Sequence, residues 1–149
     1  MTKEQKEKVK KLLSSYKTMK LQVECIDYEI NLIKDNIEVL KDLRNTESYI
    51  IEKNTEIEYK KVIKKRLEDC INSIDKVLNE LSDTERKIVE LRYLDGKKHT
   101  WKEISNIVKY SSDYCRKEML DRIIKKYGSI IKILKIGWWN VDIKLIINN

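Results

Sequence analysis

One stripe of apolar side chains runs through the first forty residues, with successive members alternately four and three residues apart. The members of this first stripe are Leu12, Tyr16, Met19, Val23, Ile26, Ile30, Ile33, Ile37 and Leu40. This is the a/d spacing of a heptad repeat, which keeps apolar side chains on one side of a long helix. Thr2 and Gln5 form a capping-box pair. The pattern therefore predicts a single helix from there to about Asp42.

A polar break at residues 44–46 interrupts this pattern before a second stripe of the same spacing follows. The members of the second stripe are Ile63, Leu67, Cys70, Ile74, Val77 and Leu81. We expect the second helix to begin between Ser48 and Thr55. Two such stripes are typical either of an antiparallel helical hairpin within one chain or of a coiled-coil dimer. The sequence leaves both arrangements open.

After Leu81 the pattern changes to short helices with marked boundaries. Ser82 with Glu85, and Thr100 with Glu103, are two further capping boxes, and Gly96 predicts where the first short helix ends. The apolar positions are Ile88, Val89, Leu91 and Leu94 in the first short helix, and Trp101, Ile104, Ile107 and Val108 in the second. The boundaries therefore predict two helices of two to three turns each.

A tight turn at residues 109–111 leads into a third short helix. Ser111 or Ser112 caps this helix, and Gly128 predicts its end. Its inward positions are Cys115, Met119, Leu120 and Ile123. Two short helices joined by such a turn, the second with outward basic and polar residues, are typical of a helix-turn-helix. We therefore predict an all-α protein with a helical scaffold over 1–81 and a helix-turn-helix domain over 82–128.

The composition agrees with a helical chain and shows where the charge lies. The chain has no proline and three glycines, too few for a turn-rich β-sheet protein or a collagen-like repeat. Its formal net charge is +7. Up to Leu81, 17 basic and 16 acidic residues give +1, whereas 15 basic and 9 acidic residues after it give +6. The basic excess is C-terminal and indicates a polyanionic partner for that part.

Residues that form metal sites or catalytic sites are few and scattered. His99 is the only histidine, and no CxxC motif joins the three cysteines, Cys25, Cys70 and Cys115. This pattern is typical of reduced thiols in a cytoplasm. The N-terminus lacks the apolar region of a signal peptide, and charges interrupt the apolar stretch 130–147. We expect a cytoplasmic protein that is not an enzyme and has no cofactor, metal ion or membrane contact.

Several other residues are expected to have structural roles or none. Cys115 is predicted to be a small buried packing residue, and His99 to lie in an exposed loop without a specific role. Glu85 and Glu90 are expected on a solvated helix face. The aromatic residues expected in the core are Tyr93, Trp101 and Tyr110.

Two segments carry a resemblance to a known family. LSDTERKIVELRYLDG at 81–96 and TWKEISNIVKYSSDYCRKEMLDRIIKKYG at 100–128 resemble region 4 of bacterial sigma factors, which reads the promoter −35 element. This similarity covers residues 81–126. With LLSSYKTMK in its N-terminal helix, the whole chain is similar to phage late transcription regulators of the ArpU/RinA type. Ser105 and Lys109 replace glycine and alanine residues that are common in that family.

The expected DNA contacts follow from helix position and from this resemblance. Four side chains on the outer side of the third helix reach base edges in the major groove: Ser112, Asp113, Arg116 and Lys117. Among them, Arg116 is expected to bind guanine through two hydrogen bonds. Three lysines add attraction to phosphates without reading sequence: Lys98, Lys102 and Lys125. The resemblance implies a groove contact by Tyr114 and backbone contacts by Arg92 and Thr100.

The resemblance implies a regulator that binds double-stranded DNA at a promoter and helps RNA polymerase to activate phage or prophage late genes. One rival is a coiled-coil adaptor that binds a protein such as the polymerase and never contacts DNA. A second is a small-terminase-like DNA-packaging protein. The sequence leaves open whether the chain forms a homodimer through its N-terminal helices. The apolar tail 129–149, with Trp138 and Trp139, has no assigned role, although its apolar side chains predict packing on the helices or on a partner.

Overall fold

The computed structural model describes residues 1–134, with side chains for residues 1–128, so most of the tail 129–149 lies outside the described part. Within that part, all regular structure is helical, and the predicted all-α class is confirmed. The six α-helices are α1 (Lys3–Ser14), α2 (Tyr16–Leu40), α3 (Glu47–Glu80), α4 (Asp83–Val89), α5 (Trp101–Val108) and α6 (Leu120–Leu134). Two π-helical segments extend them: Glu90–Leu94 continues α4, and Tyr114–Met119 leads into α6.

The predicted single N-terminal helix is interrupted at Ser15, so the expectation of one helix to Asp42 is wrong. The Thr2–Gln5 capping box is present at the start of α1. At its end, the hydroxyl groups of Ser14 and Ser15 donate to backbone carbonyls one turn back, each at 2.8 Å. Adjacent serines bonded in this way often bend helices. Beyond this point the two helices have different neighbours, because α1 packs against α6 and α2 packs against α3.

α2 and α3 lie side by side in opposite directions. Lys60 on α3 pairs with Glu29 on α2 at 2.6 Å, whereas the Tyr16 hydroxyl at the start of α2 donates to Asp75 near the end of α3. Most members of the first and second stripes are buried or half-buried between the helices. α3 begins at Glu47, one residue before the predicted range.

The short helices after Leu81 follow the predicted pattern closely. All predicted inward positions of the first and third helices are buried, as is Ile104 in α5. Ile107 is an exception, with 47% of its side chain exposed. The predicted helix end at Gly128 is wrong, because α6 continues to Leu134. None of the described helices has both the length and the apolar character needed to cross a bilayer.

Candidate nucleic-acid interface

The turn between α5 and the following helix is held by local hydrogen bonds. Lys109 adopts the left-handed conformation, with φ of +66°, and ends α5. The Ser105 hydroxyl donates to the Tyr110 carbonyl at 2.7 Å, which closes the turn from the α5 side. Ser111, rather than Ser112, caps the next helix, since its hydroxyl accepts the Tyr114 backbone N–H at 3.2 Å. Ser105 and Lys109 are thus both parts of a closed turn.

The helix that follows Ser111 has one buried side and one exposed side. The buried side chains are Cys115 and Met119, which pack into the core. Four predicted base-reading residues are exposed, Asp113, Tyr114, Arg116 and Lys117, whereas Ser112 is half-buried. Arg116 Nη2 lies 3.1 Å from Asp113 Oδ1. Because surface pairs of this kind contribute little to stability, this one leaves the guanidinium available for another acceptor.

Tyr114 belongs to an aromatic cluster on the exposed surface. Its ring centroid lies 5.6 Å from that of Tyr110, and its hydroxyl accepts a hydrogen bond from Arg122 at 2.9 Å. The prediction that Tyr110 lies in the core is wrong, because 48% of this residue is exposed. Tyr93 is buried as expected, and Trp101 is half-buried against the core.

A cleft of about 650 Å³ brings three of the predicted DNA contacts together. It lies between α1, the segment from Glu90 to Trp101 and the helix that carries Arg116. The residues that line this basic cleft are Glu7, Lys10, Lys11, Ser14, Arg92, Tyr93, Lys98, Trp101, Arg116 and Leu120. Five of them are cationic and one is acidic. The lysines of α1 were not among the predicted contacts, because nothing in the sequence pattern indicates that α1 packs beside this helix.

Arg92 forms part of the cleft wall and is fixed by the protein. Its guanidinium lies 4.9 Å from the centre of the Trp101 ring, and its Nη1 donates to the His99 carbonyl at 2.9 Å. A stacked and hydrogen-bonded guanidinium keeps its charge but loses rotational freedom. Arg92 therefore places a fixed positive charge in the cleft.

The other predicted backbone contacts lie outside the cleft. Thr100 caps α5, since its hydroxyl accepts the Glu103 N–H at 3.2 Å, and Lys102 is exposed on α5. Lys125 pairs with Asp121 at 2.9 Å. The same carboxylate accepts a hydrogen bond from Lys6 of α1 at 2.7 Å. These two cations lower the pKa of Asp121 to about 2, so Asp121 is ionised at neutral pH and attaches α1 to α6.

His99 has specific partners, contrary to the expectation that it has none. Its Nδ1 lies 3.0 Å from Glu103 Oε2, and its Nε2 lies 2.9 Å from Asp95 Oδ2. Hydrogen bonds first to Glu103 and then to Asp95 raise the pKa of the imidazole. The loop from Asp95 to Thr100 is thus joined to α5 by an imidazole whose charge depends on pH.

We expect this His99 link to weaken as pH rises. A raised imidazole pKa means that the stabilisation is fully present below about pH 6.5, the value in an unfolded chain, and is lost as pH rises through the folded-state pKa. Thermal melting of wild type and His99→Gln at pH 5.5 and pH 8.5 measures this stabilisation. The wild-type advantage in Tm should be larger at pH 5.5. An advantage that is equal at both pH values contradicts the role of His99.

The prediction that Glu85 lies on a solvated helix face is also wrong. Glu85 is buried, forms the capping box with Ser82 and accepts a hydrogen bond from Lys126 at 3.0 Å. Burial raises the pKa of the Glu85 carboxyl, but the hydrogen bonds from Lys126 and Ser82 outweigh it and the net pKa is lowered. Cys115 is fully buried, as predicted, and burial raises the pKa of its thiol. Glu85 and Cys115 are thus parts of the packed structure.

Comparison of the chain with protein-family models, with curated proteins and with solved structures finds no match. A functional interpretation therefore depends on the closed turn, on the exposed side of the helix after Ser111 and on the basic cleft.

Proposed function

We propose that the chain is a sequence-specific DNA-binding regulator of transcription, with α5, the turn and the helix after Ser111 acting as a helix-turn-helix. The observation that carries this proposal is the placement of Asp113, Arg116 and Lys117. All three are exposed in the first turns of a helix whose other side is fixed by the buried Cys115 and Met119. Recognition helices contact base edges with side chains at this position, and arginine is the commonest partner of guanine there.

The charge distribution and the sequence resemblance support the same proposal. The excess charge of +6 belongs to the residues after Leu81, where the basic cleft also gathers Arg92, Lys98 and Arg116. The likeness to sigma region 4 and to ArpU/RinA-type regulators adds the biological setting. In that setting the chain binds a phage or prophage late promoter and assists RNA polymerase in the bacterial cytoplasm.

A binding titration tests this function. Duplex DNA from upstream of the late genes is compared with a scrambled duplex of equal length and base composition, over a series of salt concentrations. We expect tighter binding to the upstream duplex at every salt concentration. Equal binding contradicts a specific regulator. Retention of RNA polymerase without any DNA binding identifies the adaptor instead.

We also propose that two copies pair through the outer side of α2. Four large apolar residues there are exposed and lie opposite the first stripe: Leu21, Tyr28, Leu32 and Val39. Successive members are 7, 4 and 7 residues apart, so the spacing is the same in both directions along the chain. In an antiparallel two-fold pair, Leu21 therefore meets Val39 of the second copy, and Tyr28 meets Leu32. A dimer presents two helix-turn-helix units, as two half-sites require.

Charged substitutions in this outer stripe should abolish the pairing. We expect wild type to sediment as a dimer and Tyr28→Lys with Leu32→Lys to sediment as a monomer. The control is Ile51→Lys with Val62→Lys, which adds the same charge at exposed apolar positions of α3 and should leave the dimer intact. Sedimentation equilibrium measures the masses. A monomeric wild type, or a double variant that stays dimeric, contradicts the proposal, and a ring of eight or more subunits favours DNA packaging.

A further inference from the structure

The N-terminal helix lies beside the helix that carries Arg116, and the paired residues Lys6 and Asp121 are 115 positions apart in sequence. α1 packs against α6, and the ion pair of Lys6 with Asp121 at 2.7 Å joins them. Val9, Leu12 and Leu13 are the buried contacts of α1. Since these residues hold one side of α1 in the core, its other side forms a wall of the basic cleft.

Among the described residues that line the basic cleft, five are cationic and one is acidic. Glu7 is the only carboxylate among these described lining residues, and its Oε1 lies 3.1 Å from Lys10 Nζ. The five lining cations come from α1, from the segment between Glu90 and Trp101 and from the helix after Ser111. Such a concave surface with a surplus of one charge concentrates oppositely charged ligands.

We propose that α1 is the second wall of the DNA interface, with Lys10 and Lys11 binding backbone phosphates while Arg116 contacts bases. This inference rests on the proposed function. Arg116 lines the cleft and also belongs to the exposed side of the helix after Ser111. A phosphodiester strand beside the major groove fits this arrangement, because the phosphates flank the bases that a recognition helix reads. The helical scaffold thereby contributes directly to DNA affinity.

The salt dependence of binding tests the role of α1. We expect Lys10→Gln with Lys11→Gln to weaken binding to specific and scrambled duplexes by the same factor. The slope of log K against log salt concentration should fall in magnitude by about two, since each lost phosphate contact removes roughly 0.9. The control is Lys61→Gln with Lys65→Gln, which removes the same charge from exposed positions of α3. This control should leave the slope within about 0.5 of wild type, because its lysines lie outside the interface.

A charge-conserving variant separates phosphate binding from structural effects. Lys10→Arg with Lys11→Arg should retain the wild-type slope, and circular dichroism melting should show all three variants folded. Equal slopes for the Lys10/Lys11 glutamine variant and the Lys61/Lys65 control overturn the role of α1 and leave the helix-turn-helix standing. Wild type that binds no duplex overturns both proposals.

Discussion

Replacing Tyr127 by alanine should lower the free energy of unfolding by about 3–5 kcal/mol, as for other large aromatic residues in protein cores. Tyr127 is fully buried and is the largest such side chain in the described part of the chain. Its hydroxyl donates to the Ile74 carbonyl of α3 at 3.4 Å, so the residue joins α6 to the scaffold. Alanine leaves a cavity where these helices meet.

Tyr127→Phe is the matched control for this effect. It keeps the ring and removes only a long hydrogen bond, so its cost should be at most about 1 kcal/mol. Urea denaturation followed by circular dichroism gives both free energies. A Tyr127→Ala variant as stable as Tyr127→Phe would mean that α6 does not pack against α3 in solution.

Replacing Arg116 by alanine should weaken specific DNA binding by about 1–3 kcal/mol, the range for loss of a bidentate contact to guanine. Arg116 lines the basic cleft and lies on the exposed side of the helix after Ser111. Its exposed ion pair with Asp113 contributes little free energy, so Arg116 can leave Asp113 and contact a base. Discrimination should be lost at one base-pair position, where guanine is no longer preferred.

Two other substitutions distinguish base reading from general attraction. Arg122→Ala removes an arginine from the same helix, but this side chain contacts Tyr114 instead of lining the cleft. It should leave the sequence preference unchanged. Lys102→Ala should weaken binding to all duplexes by the same factor, as the loss of a phosphate contact does. Competition binding with single-base variants of the site measures each effect. Unchanged preference in Arg116→Ala would contradict its role.

Features encoded by neighbouring residues could be predicted from the sequence. The Ser82–Glu85 capping box lies where the pattern places it, and Gly96 has a φ of +80° just after the helical segment that it ends. Burial of Cys115 and Met119 follows from their spacing along one helix. Such features depend on residues three or four positions apart, so a single sequence is enough to predict them.

Features that depend on distant contacts could not be predicted. The heptad pattern continues through Ser15, yet the chain separates into α1 and α2 there because the two helices pack on different partners. Lys10 and Lys11 look like ordinary solvated lysines until α1 is packed against α6. The imidazole of His99 contacts the carboxylates of Asp95 and Glu103. Whether these side chains meet depends on the loop conformation. Two of the five cations of the basic cleft, Lys10 and Lys11, were therefore absent from the predicted site.

Selection of bound DNA from a random duplex pool tests the central claim most directly. The pool is passed over wild type and Arg116→Ala, and the enriched duplexes are sequenced. We predict that wild type enriches a motif containing a guanine, present as two half-sites if the dimer forms, and that Arg116→Ala loses preference at that guanine. A wild-type pool without an enriched motif would contradict a sequence-specific regulator.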